Sequence, residues 1–154
     1  MRISAKADYG LRAMAALALL QAEREGPVTR EQIAEAQEIP LAFLENILLD
    51  LKRAGLVMSI RGQRGGFRLL RPAEAITLAQ VIRALEGPLA SVRGQRPEDL
   101  AFQGPAAPLR DVWVAVRANL RAVLERVTIA DLVGGSLPEE VSALTRVPDA
   151  WHGR

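Results

Sequence analysis

Apolar residues recur at three- and four-residue steps over most of the 154-residue chain, which is the spacing of helices with one buried face. The first such stretch predicts a helix from about Ala5 to Glu25, capped by the Ser4 hydroxyl and ended by the Gly-Pro pair that follows. A capping box formed by Thr29 and Gln32 then predicts a second, short helix.

A third helix and a hairpin complete the first half of the chain. The helix ends at the expected C-cap Gly55. Its apolar stripe comprises Leu44, Ile47, Leu48 and Leu51. Two apolar runs, Leu56–Ile60 and Phe67–Leu70, predict antiparallel strands joined by Arg61–Gly66. A helix-turn-helix followed by a β-hairpin wing is the order of a winged helix.

The second half predicts further helices around one irregular segment. A second capping box, Thr77 with Gln80, opens a connecting helix. Residues 89–108 contain glycines and prolines without a clear period and predict a loop. Thr128 and Asp131 fit a short capped helix, and residues 138–144 form a weak helical stretch. Between the loop and Thr128, one long helix of five turns is predicted from the spacing of Leu109, Val112, Trp113, Val116, Leu120, Val123, Leu124 and Val127.

Composition restricts the chemistry that the chain can perform. Apolar residues make up 49% and charged residues 25%, as in folded soluble proteins. The sequence contains no cysteine, which excludes disulfides, thiol catalysis and thiolate-ligated metal or iron–sulfur sites. The first predicted helix contains Lys6, Asp8 and Arg12, so it is neither a signal peptide nor a membrane span. We therefore expect a cytoplasmic protein with no membrane partner.

Charge is nearly balanced overall, at +2, but it is unevenly distributed. Between Met58 and Arg71 there are four arginines and no acidic residue, a local positive field that suits phosphates. Glycines in this wing allow positive φ and a close backbone approach. A solvated hairpin would show the same residues, but the position directly after a helix-turn-helix favours DNA. The expected wing contacts are Arg61, Gly62, Gln63, Arg64, Gly65 and Gly66.

The polar face of the third helix is a second candidate DNA contact. In a helix-turn-helix this face enters the major groove, where Asn46 can bond an adenine edge and Glu45 a cytosine amino group. Thr29, at a helix N-terminus, and Lys6 and Tyr9 on the first helix would lie near phosphates. Any amphipathic surface helix also turns polar residues outward, so the face alone does not distinguish DNA from solvent. Its residues are Ala42, Glu45, Asn46, Leu49, Lys52 and Arg53.

The apolar stripe of the long helix predicts a homodimer. We expect the first seventy residues to close a core of their own, which leaves Trp113 and the valines beyond it as surplus apolar surface. Pairing with the same helix of a second chain would bury that surface and present two wings to a palindromic operator. Covering the amino-terminal core is the alternative use of this helix.

Catalytic chemistry is not indicated. Neither a GxxxxGK[ST] nor a GxGxxG motif is present. The lone histidine, His152, lies close to the end of the sequence, and the adjacent acids Glu98 and Asp99 are better explained as solvated surface. We expect no enzyme, no catalytic residues, no metal ligands and no cofactor.

Long segments of the chain resemble the Rrf-two (Rrf2) family of bacterial winged-helix transcription regulators. The resemblance covers Met1 to about Leu132 and is carried by "MRISAKADYGLRAMAALAL", "TREQIAEAQEIPLAFLENILLDLKRAGLV", "SIRGQRGGFRLLRPAEAITLAQVIRALEGPL", "RDVW" and "VTIADLV". The family includes iron–sulfur cluster regulators, nitric-oxide-sensing repressors and a cysteine-metabolism repressor. The resemblance implies a homodimer built on the long helix, with operator binding through the third helix and the wing.

By position, the resemblance also implies roles for single residues. Glu45 and its neighbours would face bases, and Arg61 would enter the minor groove. Phosphates would lie near Lys6, Tyr9 and Thr29.

Two departures from the family pattern change the expectation. Cluster-binding members place three cysteines in the loop that is "ASVRGQRPEDLAFQGPAAP" here; their last cysteine falls at about Ala107, and a histidine ligand of some members at about Arg110. We therefore expect no cluster, and expect this loop to receive a small-molecule or protein signal. Pro40, Leu41 and Ala42 stand where polar residues are usual, which favours shape readout through the wing.

The sequence thus predicts a mainly α-helical fold with a small β-hairpin. A winged helix-turn-helix DNA-binding domain would span residues 1–72, and a connecting helix, effector loop and dimerisation helix residues 73–133. A tail would span residues 134–154. The predicted function is a dimeric, sequence-specific DNA-binding transcription regulator, expected to act as a repressor without an iron–sulfur cluster. The alternative is a winged-helix protein-interaction module that has lost operator recognition.

Overall fold

The computed structural model describes residues 2–153, and it begins with a helical half that carries the wing. Helices α1 to α3 are followed by an antiparallel hairpin, and four more helices lie in the remaining part of this range. The helices are α1 (Ala5–Glu23), α2 (Arg30–Gln37), α3 (Leu41–Arg53), α4 (Leu78–Glu86), α5 (Leu109–Leu124), α6 (Ile129–Gly134) and α7 (Glu139–Leu144). The strands are β1 (Val57–Ile60) and β2 (Gly66–Leu69).

Side-chain caps fix where the helices begin, as the sequence predicts. The Ser4 hydroxyl accepts a hydrogen bond from the Ala7 amide at 3.0 Å. Capping boxes open α2, α4 and α6 at Thr29, Thr77 and Thr128. These caps satisfy amides that have no partner within their helix. The mainly helical fold with a small hairpin is confirmed.

Helix α1 lies at the centre of the core and contacts α2, α3, α4 and α6. Met14 and Leu17 on α1 are completely buried. The predicted stripe of α3 faces them, and none of its residues is more than 2% exposed: Leu44, Ile47, Leu48 and Leu51. This part of the predicted core is confirmed.

The core continues beyond the boundary that the sequence suggests at Pro72. Ile76, Val81 and Leu85 belong to the same buried cluster as the residues of α1 to α3, and so does Ile129. The expectation that the first seventy residues close a core of their own is therefore wrong. The physical reason is that α2 and α3 leave an apolar face of the 19-residue helix α1 open, which α4 and α6 cover.

Two close contacts hold this second half in place. A Cβ built on Gly10 would stand 2.1 Å from the Leu85 side chain, so α1 and α4 approach closely because α1 has a glycine there. An antiparallel bridge pairs Thr77 with Thr128. In it the Leu78 amide donates to the Val127 carbonyl and the Ile129 amide to the Ile76 carbonyl, each at 2.9 Å.

Strand β2 of the wing is paired on both of its edges. In the hairpin, Val57 pairs with Leu69 and Ile60 with Gly66. On the other edge of β2, Phe67 exchanges two backbone hydrogen bonds with Val28, at 2.9 and 2.7 Å. Because Val28 directly precedes the cap of α2, the wing has a fixed orientation relative to the helix-turn-helix.

The predicted loop over residues 89–108 is irregular but packed. It contains two 3-10 turns, Pro97–Asp99 and Gly104–Ala106. Leu89, Pro97 and Leu100 are buried, and the first turn lies against α5. Apolar anchors therefore hold this segment on the long helix.

Helix α5 is shorter than the sequence suggests, and its apolar stripe is not buried within one chain. The helix ends at Leu124, and Val127 lies beyond it, only 3% exposed in the protomer's own core. Val112 is 49% exposed. The remaining members of the stripe are half-buried: Leu109, Trp113, Val116, Leu120, Val123 and Leu124. None of the helices within residues 2–153 has the length and apolar character that crossing a membrane requires.

Candidate DNA-binding surface

The wing tip presents two arginines on a turn that glycine makes possible. Arg61 and Arg64 are exposed, and Gly62 between them has a φ of +112°, in the region that other residues rarely adopt. Gly65 does not have positive φ, which corrects the expectation; a Cβ there would lie 2.3 Å from the Ile60 carbonyl oxygen. Gln63 is also exposed at the tip.

The wing arginines have no acidic partner in the described part of the chain. Over residues 2–153, the ion pairs and side-chain hydrogen bonds do not include Arg61, Arg64, Arg68 or Arg71. Their positive charge is therefore available to an external anion. Unpaired guanidinium groups are well suited to phosphate oxygens, which they bind with two parallel hydrogen bonds.

The outer face of α3 is open to solvent. Its predicted residues are all exposed: Ala42, Glu45, Asn46, Leu49, Lys52 and Arg53. The Asn46 side-chain amide nitrogen donates to the Ala42 carbonyl of its own helix at 3.3 Å. Phe43 and Leu41 on the first turn are 55% and 38% exposed, which gives this face an apolar end.

Several charged groups around α3 are paired with one another, in contrast to the arginines of the wing. The Lys6 ammonium donates to Asp50 at 2.7 Å, and Arg53 lies 3.5 Å from the same carboxylate. Arg30 donates to Glu45 at 2.6 Å, which the sequence alone does not indicate. The expected DNA contacts Lys6, Glu45 and Arg53 thus each have a partner within the chain.

The pKa shifts of two groups at this surface, Asp50 and Arg30, favour their charged forms. A hydrogen bond from Lys6 lowers the pKa of Asp50 from its ordinary value, although burial opposes the shift. A hydrogen bond to Glu31 raises the pKa of Arg30, and the charge of Glu45 adds to the effect. The α3 surface therefore carries alternating charges of fixed sign rather than a uniform positive field.

The remaining predicted contacts have structural partners. The Thr29 hydroxyl accepts a hydrogen bond from the Gln32 amide at 3.2 Å and so caps α2. The Lys52 ammonium donates to the Ser59 hydroxyl at 2.7 Å, which links α3 to β1. The Tyr9 ring lies 6.1 Å from the Phe43 ring in an edge-to-face arrangement, and the Arg12 guanidinium lies 5.4 Å from the centre of the Tyr9 ring. Lys52 thus lies on α3 and Tyr9 beside its first turn, whereas the contact of Thr29 is with α2.

Relatives of the chain are named as regulators with a helix-turn-helix. A predicted HTH-type transcriptional regulator of Mycobacterium tuberculosis, Rv1287, is 49% identical over 144 residues, which cover 94% of this chain and 88% of the relative. CymR of Bacillus subtilis is 39% identical over 132 residues, which cover 86% of this chain and 89% of CymR.

Solved structures of such regulators have the same fold. That of CymR, the global cysteine regulator of B. subtilis, has a TM-score of 0.72 and 37% identity, and covers 88% of this chain and 98% of CymR. IscR of T. potens has a TM-score of 0.70 and 34% identity, and covers 88% of each chain. The likeness therefore includes the wing and the long helix, not the helix-turn-helix alone.

The family model for Rrf2, described as an iron-dependent transcriptional regulator, matches residues 3–135. The residues present do not fit a thiolate-ligated iron group, because the sequence has no cysteine. Across residues 2–153, His, Asp and Glu form no group of three that could hold a metal ion. The match in sequence and fold is nevertheless continuous over most of the chain, and the chain belongs to the Rrf2 family of winged-helix, DNA-binding transcription regulators.

Proposed function

We propose that the protein is a homodimeric regulator that binds a palindromic operator through α3 and the wing, and represses transcription by occupying promoter DNA. The observation that carries this proposal is the contrast in pairing described above. Lys6, Arg53, Arg30 and Glu45 around α3 have partners of opposite charge within the chain, whereas Arg61 and Arg64 are exposed and unpaired among residues 2–153. DNA phosphates supply the negative charge that the wing lacks.

In this proposal the two elements have different tasks. The outer face of α3 enters the major groove, where Asn46 and Glu45 read base edges. Arg30 holds the Glu45 carboxylate from the side, so that it can accept from a cytosine amino group. Arg61 enters the adjacent minor groove, whose narrow form concentrates negative potential. Lys6, Tyr9 and Thr29 lie near the phosphates that border the groove.

Net attraction to DNA then comes mainly from the wing. The pairs Lys6–Asp50 and Arg30–Glu45 add little net charge, so the α3 surface contributes complementarity instead. Regulators of this kind bind their sites with Kd values of roughly 10⁻⁸ to 10⁻¹¹ M at physiological salt. Affinity is expected to fall steeply as salt rises, because each bound phosphate releases counterions.

The long helix supports the dimeric part of the proposal. None of the residues of α5 is fully buried in the protomer, although eight apolar residues define the predicted stripe. Seven of them retain exposed surface, and Val112 is the most exposed of the seven. A second copy of α5 would cover this surface, and twofold symmetry would align two wings with two half-sites.

We further propose that regulation does not use an iron–sulfur cluster. A cluster needs thiolate ligands, and the chain supplies none. The segment over residues 89–108 packs on α5 through buried side chains, so a small molecule or protein bound there can act on the dimer helix.

One observation favours an alternative function, a protein-interaction module. Phe43, Leu41 and Leu49 give the outer face of α3 an exposed apolar character that a base-reading helix does not require. A partner protein with an apolar groove would bury these side chains. Such a partner would compete with DNA for α3.

Selection of bound fragments from random duplex DNA tests the proposal directly. We expect one enriched palindrome, with half-sites separated by about one helical turn or a multiple of it. The affinity for that palindrome should fall between two salt concentrations. Recovery of no motif by folded, dimeric protein would contradict operator binding and favour the interaction module.

A further inference from the structure

A cleft of about 440 Å³ lies between the end of α4, the first part of the 89–108 segment and α5. We call it the arginine cleft, because four of its lining residues are arginines: Arg83, Arg96, Arg117 and Arg121. Gly87, Pro88 and Leu89 form an uncharged part of its wall. Four guanidinium groups around one cleft are an unusual arrangement, since like charges repel unless an anion lies between them.

The acidic groups near the cleft neutralise only half of this charge. Glu125 accepts from Arg83 at 2.5 Å and from Arg121 at 3.1 Å. Glu98 accepts from Arg117. The guanidinium of Arg96 forms neither an ion pair nor a hydrogen bond with residues 2–153. The cleft therefore carries two positive charges in excess.

Glu98 occupies the position that an external anion would take. A hydrogen bond from its own backbone amide and the guanidinium of Arg117 lower the pKa of Glu98, so it is a carboxylate at neutral pH. The Glu98 side chain is 44% exposed, whereas the Arg117 side chain is only 20% exposed. The carboxylate can thus rotate away from Arg117 into solvent while the buried Pro97 keeps the turn packed on α5.

From this geometry we infer that the arginine cleft is an effector site for a small molecule with two negative charges, a phosphate monoester or a dicarboxylate. The effector role rests on the proposed function as a regulator, whereas binding of the anion in the cleft does not. The ligand's oxyanions bind Arg96 and Arg117 and replace Glu98 on Arg117. Bidentate guanidinium–oxyanion pairs provide both affinity and selectivity for planar or tetrahedral oxyanions.

An anion bound in the arginine cleft would contact α5, the proposed dimer helix. Arg117 and Arg121 project from α5 beside its apolar stripe, and the turn with Glu98 packs on the same helix. Displacing Glu98 releases one of the links between the turn and α5. A change in the packing of α5 alters the spacing of the two recognition helices in a dimer.

Calorimetric titration of the full chain with inorganic phosphate and with succinate, at constant ionic strength, tests the binding step. Acetate, with a single charge, serves as the control ligand. We expect one of the two dianions to bind at least about tenfold more tightly than acetate, and the comparison between them separates the two sources of the anion.

Two variants with opposite effects locate the site. Arg96→Gln should weaken dianion binding about tenfold, which is the loss of one charge-assisted pair. Glu98→Gln should strengthen it, because the competing carboxylate is gone. The matched control is Arg93→Gln, three positions from Arg96 and likewise without an ion pair in the described chain, but not part of the cleft wall. Equal binding by all four proteins would overturn the site.

Operator titrations distinguish failure of the effector role from failure of the proposed function. At equal ionic strength, the bound dianion should change operator affinity in the wild type and not in Arg96→Gln. If the dianion binds but operator affinity is constant, the effector role is wrong. If Arg96→Gln weakens DNA binding as much as Arg61→Ala does, the cleft contacts DNA and the inference is wrong. Absence of any operator binding contradicts the proposed function and leaves the calorimetric result as the test of the cleft.

Discussion

Gly66 lies directly against the backbone of Val28, and a Cβ built on Gly66 would stand 2.5 Å from the Val28 carbonyl oxygen. Two backbone hydrogen bonds between Val28 and Phe67 hold the segments at this distance. The wing therefore has its orientation because a glycine stands where any larger residue would push the strand away from α2.

Gly66→Ala should destabilise the protein by about 1–3 kcal/mol, because the methyl group meets backbone and the positive φ is unfavourable for alanine. Urea denaturation measures this loss. Gly134→Ala is the control, since a Cβ there meets nothing within 4 Å and its φ is not positive. Equal stability of the two variants would show that the contact can relax without cost.

Arg61→Ala should leave stability unchanged and cost about 1–3 kcal/mol of operator affinity. The side chain has no acidic partner among residues 2–153, so only DNA loses a contact. Fluorescence anisotropy at several salt concentrations should also give a salt slope smaller by about 1. Arg93→Ala removes an equally unpaired arginine outside the wing and should bind the operator as the wild type does. A folded Arg61→Ala protein with full affinity would remove Arg61 from the interface.

Asp50→Asn should increase affinity for DNA of random sequence. The Asp50 carboxylate is shared by Lys6 and Arg53 beside α3 and offsets one of their two positive charges; the amide leaves both cations available to phosphates. We expect tighter binding at low salt and a salt slope larger by about 1. The control is Glu140→Gln, which breaks an ion pair with Arg126 near α7. If both variants behave alike, the pairs around α3 do not face DNA.

Val112→Asp should give monomers, because it places a carboxylate in the apolar surface that a second α5 would cover. Val112 is 49% exposed in the protomer, so the chain itself should still fold. Light scattering after size-exclusion chromatography measures the mass. Ala118→Asp, on the opposite side of the same helix and also exposed, should remain dimeric. A dimeric Val112→Asp protein would place the dimer contact elsewhere.

Glu125→Gln should make stability less dependent on acid pH. Hydrogen bonds from Arg83 and Arg121 lower the pKa of Glu125 below its ordinary value of 4.5. The carboxylate therefore stabilises the folded state above pH 4.5, and this contribution is lost as the pH falls through the lower, folded-state pKa.

The measurement is urea denaturation between about pH 6 and pH 3.5. The free energy of unfolding of the wild type should decrease more over this range than that of Glu125→Gln. Glu74→Gln, at an exposed glutamate without an ion pair in the described chain, should follow the wild type. If the free energy of unfolding depends on pH in the same way in all three proteins, the hydrogen bonds of Glu125 with Arg83 and Arg121 add no measurable stability.

Local signals in the sequence predict the elements well. Ser4, Thr29, Thr77 and Thr128 each begin a helix because a hydroxyl must reach an amide only three positions away, a distance that the chain itself fixes. The buried stripe of α3 is predicted for the same reason, since periodicity is a property of neighbouring residues.

Contacts between distant residues are not predictable in this way. Val127 continues the apolar spacing of α5, but α5 ends at Leu124, and the Val127 carbonyl accepts a hydrogen bond from the distant Leu78 amide. The pairing of Lys6 with Asp50 likewise joins residues 44 positions apart, and it changes the charge that α3 can offer to DNA. Which cations are paired and which are unpaired can therefore be determined only from the folded structure.

The bridge between Thr77 and Thr128 limits how this kind of protein can be recombined. A chimera that transplants only the wing and its three helices would leave behind Ile129 and the two backbone hydrogen bonds that seat it beneath α1. The transplanted piece would then expose an apolar hole at its centre and would be prone to aggregate. A change of sensory input in such a protein must accordingly be made by altering side chains within one undivided fold, rather than by exchanging modules.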